Sequence, residues 1–279
     1  MDITFQHLSL PAERIQDRWL LKNVLIGGLN NSTLPYKVCR SPSTPESSHA
    51  VFYMPGLGGS LDDTPFLEDH ICHRHSLIRV PNFGLSDPLY ALITATFGDG
   101  CAILHNAAAA VSTIASDLGL KTYDIVAHSW GGMVATINAL RDKRCRKAML
   151  LVSSPDICDA VEHMYFLNGV ESFTPFLDIF KGHLRGQARA AKFGKSVHQD
   201  AWENISPFRL SGNPGLEMLI FNREEDRVMR KENVEHFIRH SKARGLDNIT
   251  AEFIQIPGMF WHDMPLQYFS DRMAGFLRI

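Results

Sequence analysis

The chain has 279 residues, of which 45% are hydrophobic and 21% are charged, so it can bury a core large enough to fold without disulfides or metals. The formal net charge is −2, from 28 basic and 30 acidic side chains, and the basic excess typical of nucleic-acid-binding proteins is missing. The five cysteines are scattered, the N-terminus does not resemble a signal peptide, and no stretch approaches the ~20 apolar residues of a membrane span. These features predict a cytoplasmic protein that neither binds nucleic acid nor crosses a membrane.

Short, continuously apolar runs recur along the chain after a turn rich in Pro and Ser at residues 41–48. Continuous apolarity is typical of strands that are covered on both faces, as in a parallel sheet. The runs are residues 50–54, 76–80, 123–127, 148–152, 216–221 and 251–256. Helical patterns lie between and after them, at residues 99–118, 131–144, 232–244 and 263–277. The alternation predicts an α/β protein with a doubly wound, mostly parallel sheet, whereas the first fifty residues carry the weakest pattern.

The alternation is interrupted between residues 155 and 214, where no strand-like run occurs. An insertion of this size, rich in helix formers, would cover one end of the sheet as a lid. The sequence therefore predicts a core formed by residues 1–154 and 215–279 and a helical lid formed by residues 155–214.

The strongest motif is a serine at the point where a strand pattern runs directly into a helix pattern, YDIVAHSWGGMVA at residues 123–135. A sharp turn at Ser129 would lift its hydroxyl above the sheet, and the glycines Gly131 and Gly132 would let strand and helix approach closely. The free N–H groups of the helix N-terminus favour a developing negative charge there. With this motif, most of the chain resembles the α/β-hydrolase family, whose G-x-S-x-G pattern has Ala127 in place of its first glycine here. The alternative is an ordinary strand–helix turn that holds a serine.

The resemblance also assigns a role to a glycine-rich loop after the first apolar run, MPGLGGS at residues 54–60. In the family this loop begins His-Gly and supplies one N–H group of the oxyanion hole, and Pro55 replaces that histidine here. By position, the backbone N–H groups of Leu57 and Trp130 would form the hole. The alternative is a turn without a catalytic role, since the loop matches no nucleotide-phosphate motif.

The general base that the resemblance implies is His262, between the last apolar run and the last helix. Trp261 stands where the family usually has a small residue, and it is a candidate for the wall of the substrate pocket. The acid is expected after the fifth apolar run, where the family's G-x-x-D pattern selects Asp226, although Arg223 replaces the glycine. The chain order is then serine, acid, histidine, as in the family. Asp156, after the preceding run, is the alternative acid.

Three further groups of residues have competing interpretations. Phe173 and Phe176 in the lid are candidates for lining an apolar acyl pocket, or for packing within the lid itself. Basic residues of the lid favour a solvated helix face over a docking site for an acyl carrier protein, and they are Lys181, Arg185, Arg189, Lys192 and Lys195. A cluster at residues 70–75, with three histidines and a cysteine, matches no zinc spacing, so a metal site is not favoured there.

These features together imply a serine hydrolase that cleaves a carboxylic ester or thioester of a small molecule through an acyl-enzyme on Ser129, without cofactor or metal. Acyl transfer, carbon–carbon bond hydrolysis and amide cleavage stay open, because the same triad serves all of them. A non-catalytic, ligand-binding relative is the alternative from a different class. The departures from the family pattern at Pro55, Asn82, Arg223 and Trp261 keep that alternative open.

Overall fold

The computed structural model describes residues 13–16, 19–26, 32–39, 49–56, 65–80, 97–155, 200, 203, 205–226, 229–255 and 269–278. The strands are β1 (Glu13–Gln16), β2 (Trp19–Ile26), β3 (Ser32–Cys39), β4 (His49–Met54), β5 (Ser76–Arg79), β6 (Thr122–His128), β7 (Cys145–Leu151), β8 (Glu217–Arg223) and β9 (Ile249–Ile254). The helices are α1 (Pro65–Ile71), α2 (Phe97–Asp117), α3 (Trp130–Arg141), α4 (Lys231–Lys242) and α5 (Ser270–Leu277).

The nine strands of the described residues form one sheet, in the order β1-β2-β3-β5-β4-β6-β7-β8-β9. β1, β2 and β3 join the sheet by antiparallel pairing, and β4 to β9 pair with one another in parallel. The six parallel strands coincide with the six apolar runs of the sequence, so the prediction of a mostly parallel α/β sheet is confirmed. Because parallel strands end at the same edge of a sheet, the residues that follow β4, β6, β7, β8 and β9 lie along one edge.

Alternate residues of the parallel strands enter two separate hydrophobic cores, one on each face of the sheet. In β4, for example, Ala50 and Phe52 belong to the core covered by α2, α3 and α4, whereas Val51 and Tyr53 belong to the core covered by α1 and α5. Apolar cover on both faces explains why these strands read as continuous apolar runs. The sheet is thus the middle layer of three.

The chain between β7 and β8 is described only at its two ends. Residues 156–199 lie outside the described residues, so the helical lid stays a prediction. At the C-terminal end of this segment, Ile205 and Leu210 are buried in the core beneath α3 and α4. The amide of Asn213 donates to the carbonyl oxygens of Ala139 and Cys145, at 3.2 and 2.8 Å, and so fixes the chain before it enters β8. No helix in the described part of the chain is long and apolar enough to cross a membrane.

Candidate active site

Ser129 occupies the single residue between the end of β6 and the start of α3. Its backbone angles are φ 48° and ψ −117°, a combination that a residue with a Cβ rarely adopts. Two backbone hydrogen bonds hold it there: its N–H donates to the carbonyl of Leu151, and its carbonyl accepts from the N–H of Gly132, both at 2.9 Å. Its side chain is partly exposed. A strained serine, fixed by the surrounding backbone and partly exposed at a strand–helix junction, has the geometry of a nucleophile elbow.

The two glycines after Ser129 are required by close approach of backbone and side chains. A Cβ on Gly131 would lie 2.4 Å from the carbonyl oxygen of Met54 and 2.5 Å from that of Pro55. A Cβ on Gly132 would lie 2.1 Å from the hydroxyl oxygen of Ser153. The first turn of α3 therefore packs directly on the ends of β4 and β7, as the sequence predicted from these glycines.

The loop after β4 begins directly beside Ser129. A Cβ on Gly56 would be 2.8 Å from Nδ1 of His128 and 3.3 Å from Cβ of Ser129. Leu57, the next residue, lies outside the described residues. Trp130 is the first residue of α3, and the first N–H groups of a helix have no partner within the helix. The oxyanion hole of Leu57 and Trp130 stays a prediction, and of its two residues the structure describes Trp130 alone.

Asp226 is the one buried carboxylate of the three that follow β8. Only 4% of its surface is exposed, and its Oδ1 accepts the N–H of Met229 at 2.9 Å. Glu224 and Glu225 are exposed and form ion pairs with Lys231 and with Arg223 respectively. Since β8 is parallel to β6 and separated from it only by β7, Asp226 lies at the same edge of the sheet as Ser129. Position and burial therefore favour Asp226 over its two neighbours as a catalytic acid.

The remaining predicted site residues lie outside the described residues: His262, Trp261, Asp156, Phe173 and Phe176. β9, which precedes His262 in the chain, pairs in parallel with β8, so it also ends at the edge where Asp226 lies. The triad of Ser129, Asp226 and His262 stays a prediction.

A group of polar residues between Ser129 and Asp226 was not predicted from the sequence. The hydroxyl of Ser153 donates to the carbonyl of Ser129 at 3.0 Å, and the backbone N–H of Ser153 donates to Oδ1 of Asn222 at 3.0 Å. Both residues are fully buried. The signal in the sequence was a polar residue at the end of each of two apolar runs, after residues 152 and 221.

The cluster at residues 70–75 does not converge on one point in the structure. His70 and His73 are exposed, whereas Cys72 is buried in the core beside Cys39. Contact with Cys39 and burial both raise the pKa of the Cys72 thiol, which makes a metal-binding thiolate unfavourable. Within the part of the chain that the structure describes, no three side chains of the metal-binding types come together.

Comparison with known proteins gives likeness in structure without likeness in sequence. No protein-family profile and no curated protein matches the sequence. An acetyl xylan esterase of a Paenibacillus species is 11% identical with a TM-score of 0.62, covering 98% of this chain and 88% of its own. An esterase of Pyrococcus furiosus is 14% identical with a TM-score of 0.59, covering 92% of this chain and 91% of its own. A thermophilic esterase of Thermogutta terrifontis with bound propionate is 15% identical with a TM-score of 0.57, covering 92% of this chain and 93% of its own. The sheet order, the turn at Ser129 and these likenesses agree, and the chain has the α/β-hydrolase fold.

Proposed function

We propose that this protein is a serine hydrolase that cleaves carboxylic esters or thioesters of small molecules, with Ser129 as nucleophile. The observation that carries the proposal is the strained backbone of Ser129, held between β6 and α3 with its side chain partly exposed. Backbone strain of this kind costs about 1–3 kcal/mol and is found mainly at functional sites. Esters are favoured as substrates over thioesters, because the structural neighbours named above are esterases.

In the proposed reaction, Oγ of Ser129 attacks the substrate carbonyl while His262 takes its proton. Asp226 holds the imidazole in the correct tautomer and stabilises its cation. The N–H groups of Leu57 and Trp130 stabilise the oxyanion, and each such donor lowers the barrier by ~3 kcal/mol.

The tetrahedral intermediate then collapses. The ester C–O bond breaks, and His262 returns the proton to the leaving alcohol. Water next attacks the acyl-enzyme, gives one proton to His262, and releases the carboxylic acid as the proton returns to Oγ of Ser129.

The burial of the Asp226 carboxylate among polar groups supports its proposed role as the acid. A carboxylate of which only 4% is exposed needs hydrogen-bond donors, and the N–H of Met229 is one of them. An imidazolium that forms beside Asp226 during the reaction would neutralise its buried charge.

Hydrolysis of p-nitrophenyl esters from acetate to decanoate, beside the matching acyl-thioesters, tests the proposed function. Wild-type protein should turn over members of the ester series, and Ser129→Ala should lose at least a thousandfold in kcat. The matched control is Ser116→Ala, because Ser116 is an exposed serine on α2 that contacts Ser112 and Arg144, and it should retain wild-type kinetics. No turnover of any ester or thioester by folded wild-type protein would favour a non-catalytic ligand-binding protein instead.

A further inference from the structure

A buried path of hydrogen bonds joins the turn of Ser129 to the carboxylate of Asp226. The path begins at the carbonyl of Ser129, passes through Ser153 and Asn222, and reaches Met229, whose N–H donates to Asp226. Each of its four contacts measures between 2.8 and 3.0 Å, within the range of good hydrogen bonds. The path crosses from the end of β7 to β8, and β7 is the one strand that separates β6, which Ser129 follows, from β8, which Asp226 follows.

Asn222 is the centre of this path and uses both ends of its amide. Its Oδ1 accepts the backbone N–H of Ser153 at 3.0 Å, and its Nδ2 donates to the carbonyl of Met229 at 2.8 Å. Met229 is thus held through its carbonyl by Asn222, while its N–H holds Asp226 at 2.9 Å. The side chain of Asn222 is 0% exposed, so water cannot replace either contact without opening the structure.

The backbone before Ser153 is strained, and this strain places Ser153 in contact with both Asn222 and Ser129. Val152 has φ 42°, which is a true outlier for a β-branched residue, and its N–H donates to the carbonyl of Phe221 at 2.7 Å. After this turn the N–H of Ser153 faces Asn222 and its hydroxyl faces the carbonyl of Ser129. A strained residue persists only where its surroundings fix it, so the chain is held firmly at this end of β7.

We infer that Asn222 is a positioning residue that fixes the Asp226 carboxylate relative to the Ser129 turn, an inference that rests on the proposed function. Asn222 touches no reacting atom and acts through Met229 on one side and Ser153 on the other. A displacement of about 1 Å at a catalytic group lowers turnover by up to ~100-fold, and two hydrogen bonds to one rigid amide prevent such a displacement. The competing interpretation is that Asn222 only stabilises the fold, as buried amides do elsewhere.

A double-mutant cycle between Asn222→Ala and Asp226→Asn distinguishes the two interpretations, with kcat and KM measured on a p-nitrophenyl ester. If Asn222 acts by positioning Asp226, Asn222→Ala should lower kcat ten- to hundredfold at nearly constant KM. The same change should lower kcat less than threefold in the Asp226→Asn background, because the group that Asn222 positions is then already disabled. The acidic limb of the kcat/KM profile should also move to lower pH, since a misplaced carboxylate no longer raises the pKa of the catalytic histidine.

Asn138→Ala is the matched control. Asn138 is also a buried amide with both ends used, accepting from the hydroxyl of Tyr123 at 2.7 Å and donating to the carbonyl of Ala108 at 2.8 Å. It lies in the C-terminal half of α3, away from the edge of the sheet that holds Asp226. Its loss should lower stability and leave kcat and the pH profile of the folded protein unchanged.

Asn222→Leu separates the hydrogen bonds from the volume of the side chain. It keeps nearly the same size but removes both the acceptor for Ser153 and the donor to Met229 without burying a charge, so it should lose activity like Asn222→Ala. If Asn222→Ala does not fold by near-ultraviolet circular dichroism, this variant decides the question.

The inference is overturned if both Asn222 variants fold and keep kcat within threefold of wild type, or if Asn222→Ala causes the same loss in the wild-type background as in the Asp226→Asn background. The single variants Ser129→Ala and Asp226→Asn test the proposed function within the same series. When both of them lose activity and Asn222→Ala does not, the positioning role alone has failed. When Ser129→Ala keeps its activity, the proposed function itself has failed.

Discussion

Replacing Ser129 by glycine should abolish activity and at the same time stabilise the fold. At φ 48° and ψ −117° the Cβ of Ser129 is in conflict with its own backbone, which corresponds to about 1–3 kcal/mol of strain. Glycine adopts such angles freely, but its more flexible unfolded chain lowers stability by roughly 0.5–1 kcal/mol. The difference leaves a net gain of about 1 kcal/mol for Ser129→Gly relative to Ser129→Ala, which keeps the Cβ and therefore the strain.

Urea unfolding of wild type, Ser129→Ala and Ser129→Gly measures this difference as a change in midpoint at constant slope. Gly131→Ala is a matched variant that should change the free energy of unfolding in the opposite direction. Its Cβ would lie 2.4 Å from the carbonyl oxygen of Met54 and 2.5 Å from that of Pro55. That variant should lose about 1–3 kcal/mol or more, as overpacked sites do. A Ser129→Gly protein that is less stable than Ser129→Ala by the ordinary ~0.5–1 kcal/mol of glycine would show that no strain is stored at Ser129.

Three further predictions follow from the contacts of the described residues. Gly56→Ala should lower kcat/KM for esters at least tenfold, because its Cβ would lie 2.8 Å from Nδ1 of His128 and 3.3 Å from Cβ of Ser129. Steady-state rates within twofold of wild type would contradict this prediction. Asp226→Asn should lower kcat by ~10²–10⁴ while Glu225→Gln changes it less than threefold; a larger loss in Asp156→Asn would instead assign the acid to the chain after β7. Burial and the neighbouring His49 lower the pKa of His75 from the usual 6.5, so its neutral form stabilises the folded protein. That contribution is complete above pH 6.5 and is lost as the pH falls from there through the folded pKa. Wild type should therefore lose more free energy of unfolding between pH 7.5 and 5.0 than His75→Gln, and equal losses in urea titrations would rule the effect out.

The parallel half of the sheet was predictable because its physical cause is visible in the sequence. Strands covered on both faces need continuous apolar runs, and residues 50–54 or 148–152 have no other explanation of comparable strength. The antiparallel strands were not predictable in the same way. β2 contains Lys22 and Asn23, and β3 contains Pro35, which lacks an N–H for the ladder and is normally a signal against a strand.

The candidate nucleophile and the candidate acid are predictions from motifs, whereas the hydrogen bonds around them could not be predicted from the sequence. Ser129 and Asp226 each follow an apolar run at a position that the family pattern marks. The contact of Ser153 with Asn222 depends on the register between β7 and β8, in which Leu151 pairs with Phe221. A sequence shows only that both residues are polar and end an apolar run; which polar groups meet is set by pairing across strands.

The most direct test of the central claim is to label the protein with a fluorophosphonate probe and to locate the adduct by mass spectrometry of its peptides. We expect one adduct, on Ser129, that forms in wild type and in Ser116→Ala but not in Ser129→Ala, and whose formation an ester substrate slows. Folded wild-type protein that hydrolyses esters while carrying its adduct on another serine, or that is not labelled at all, would contradict it.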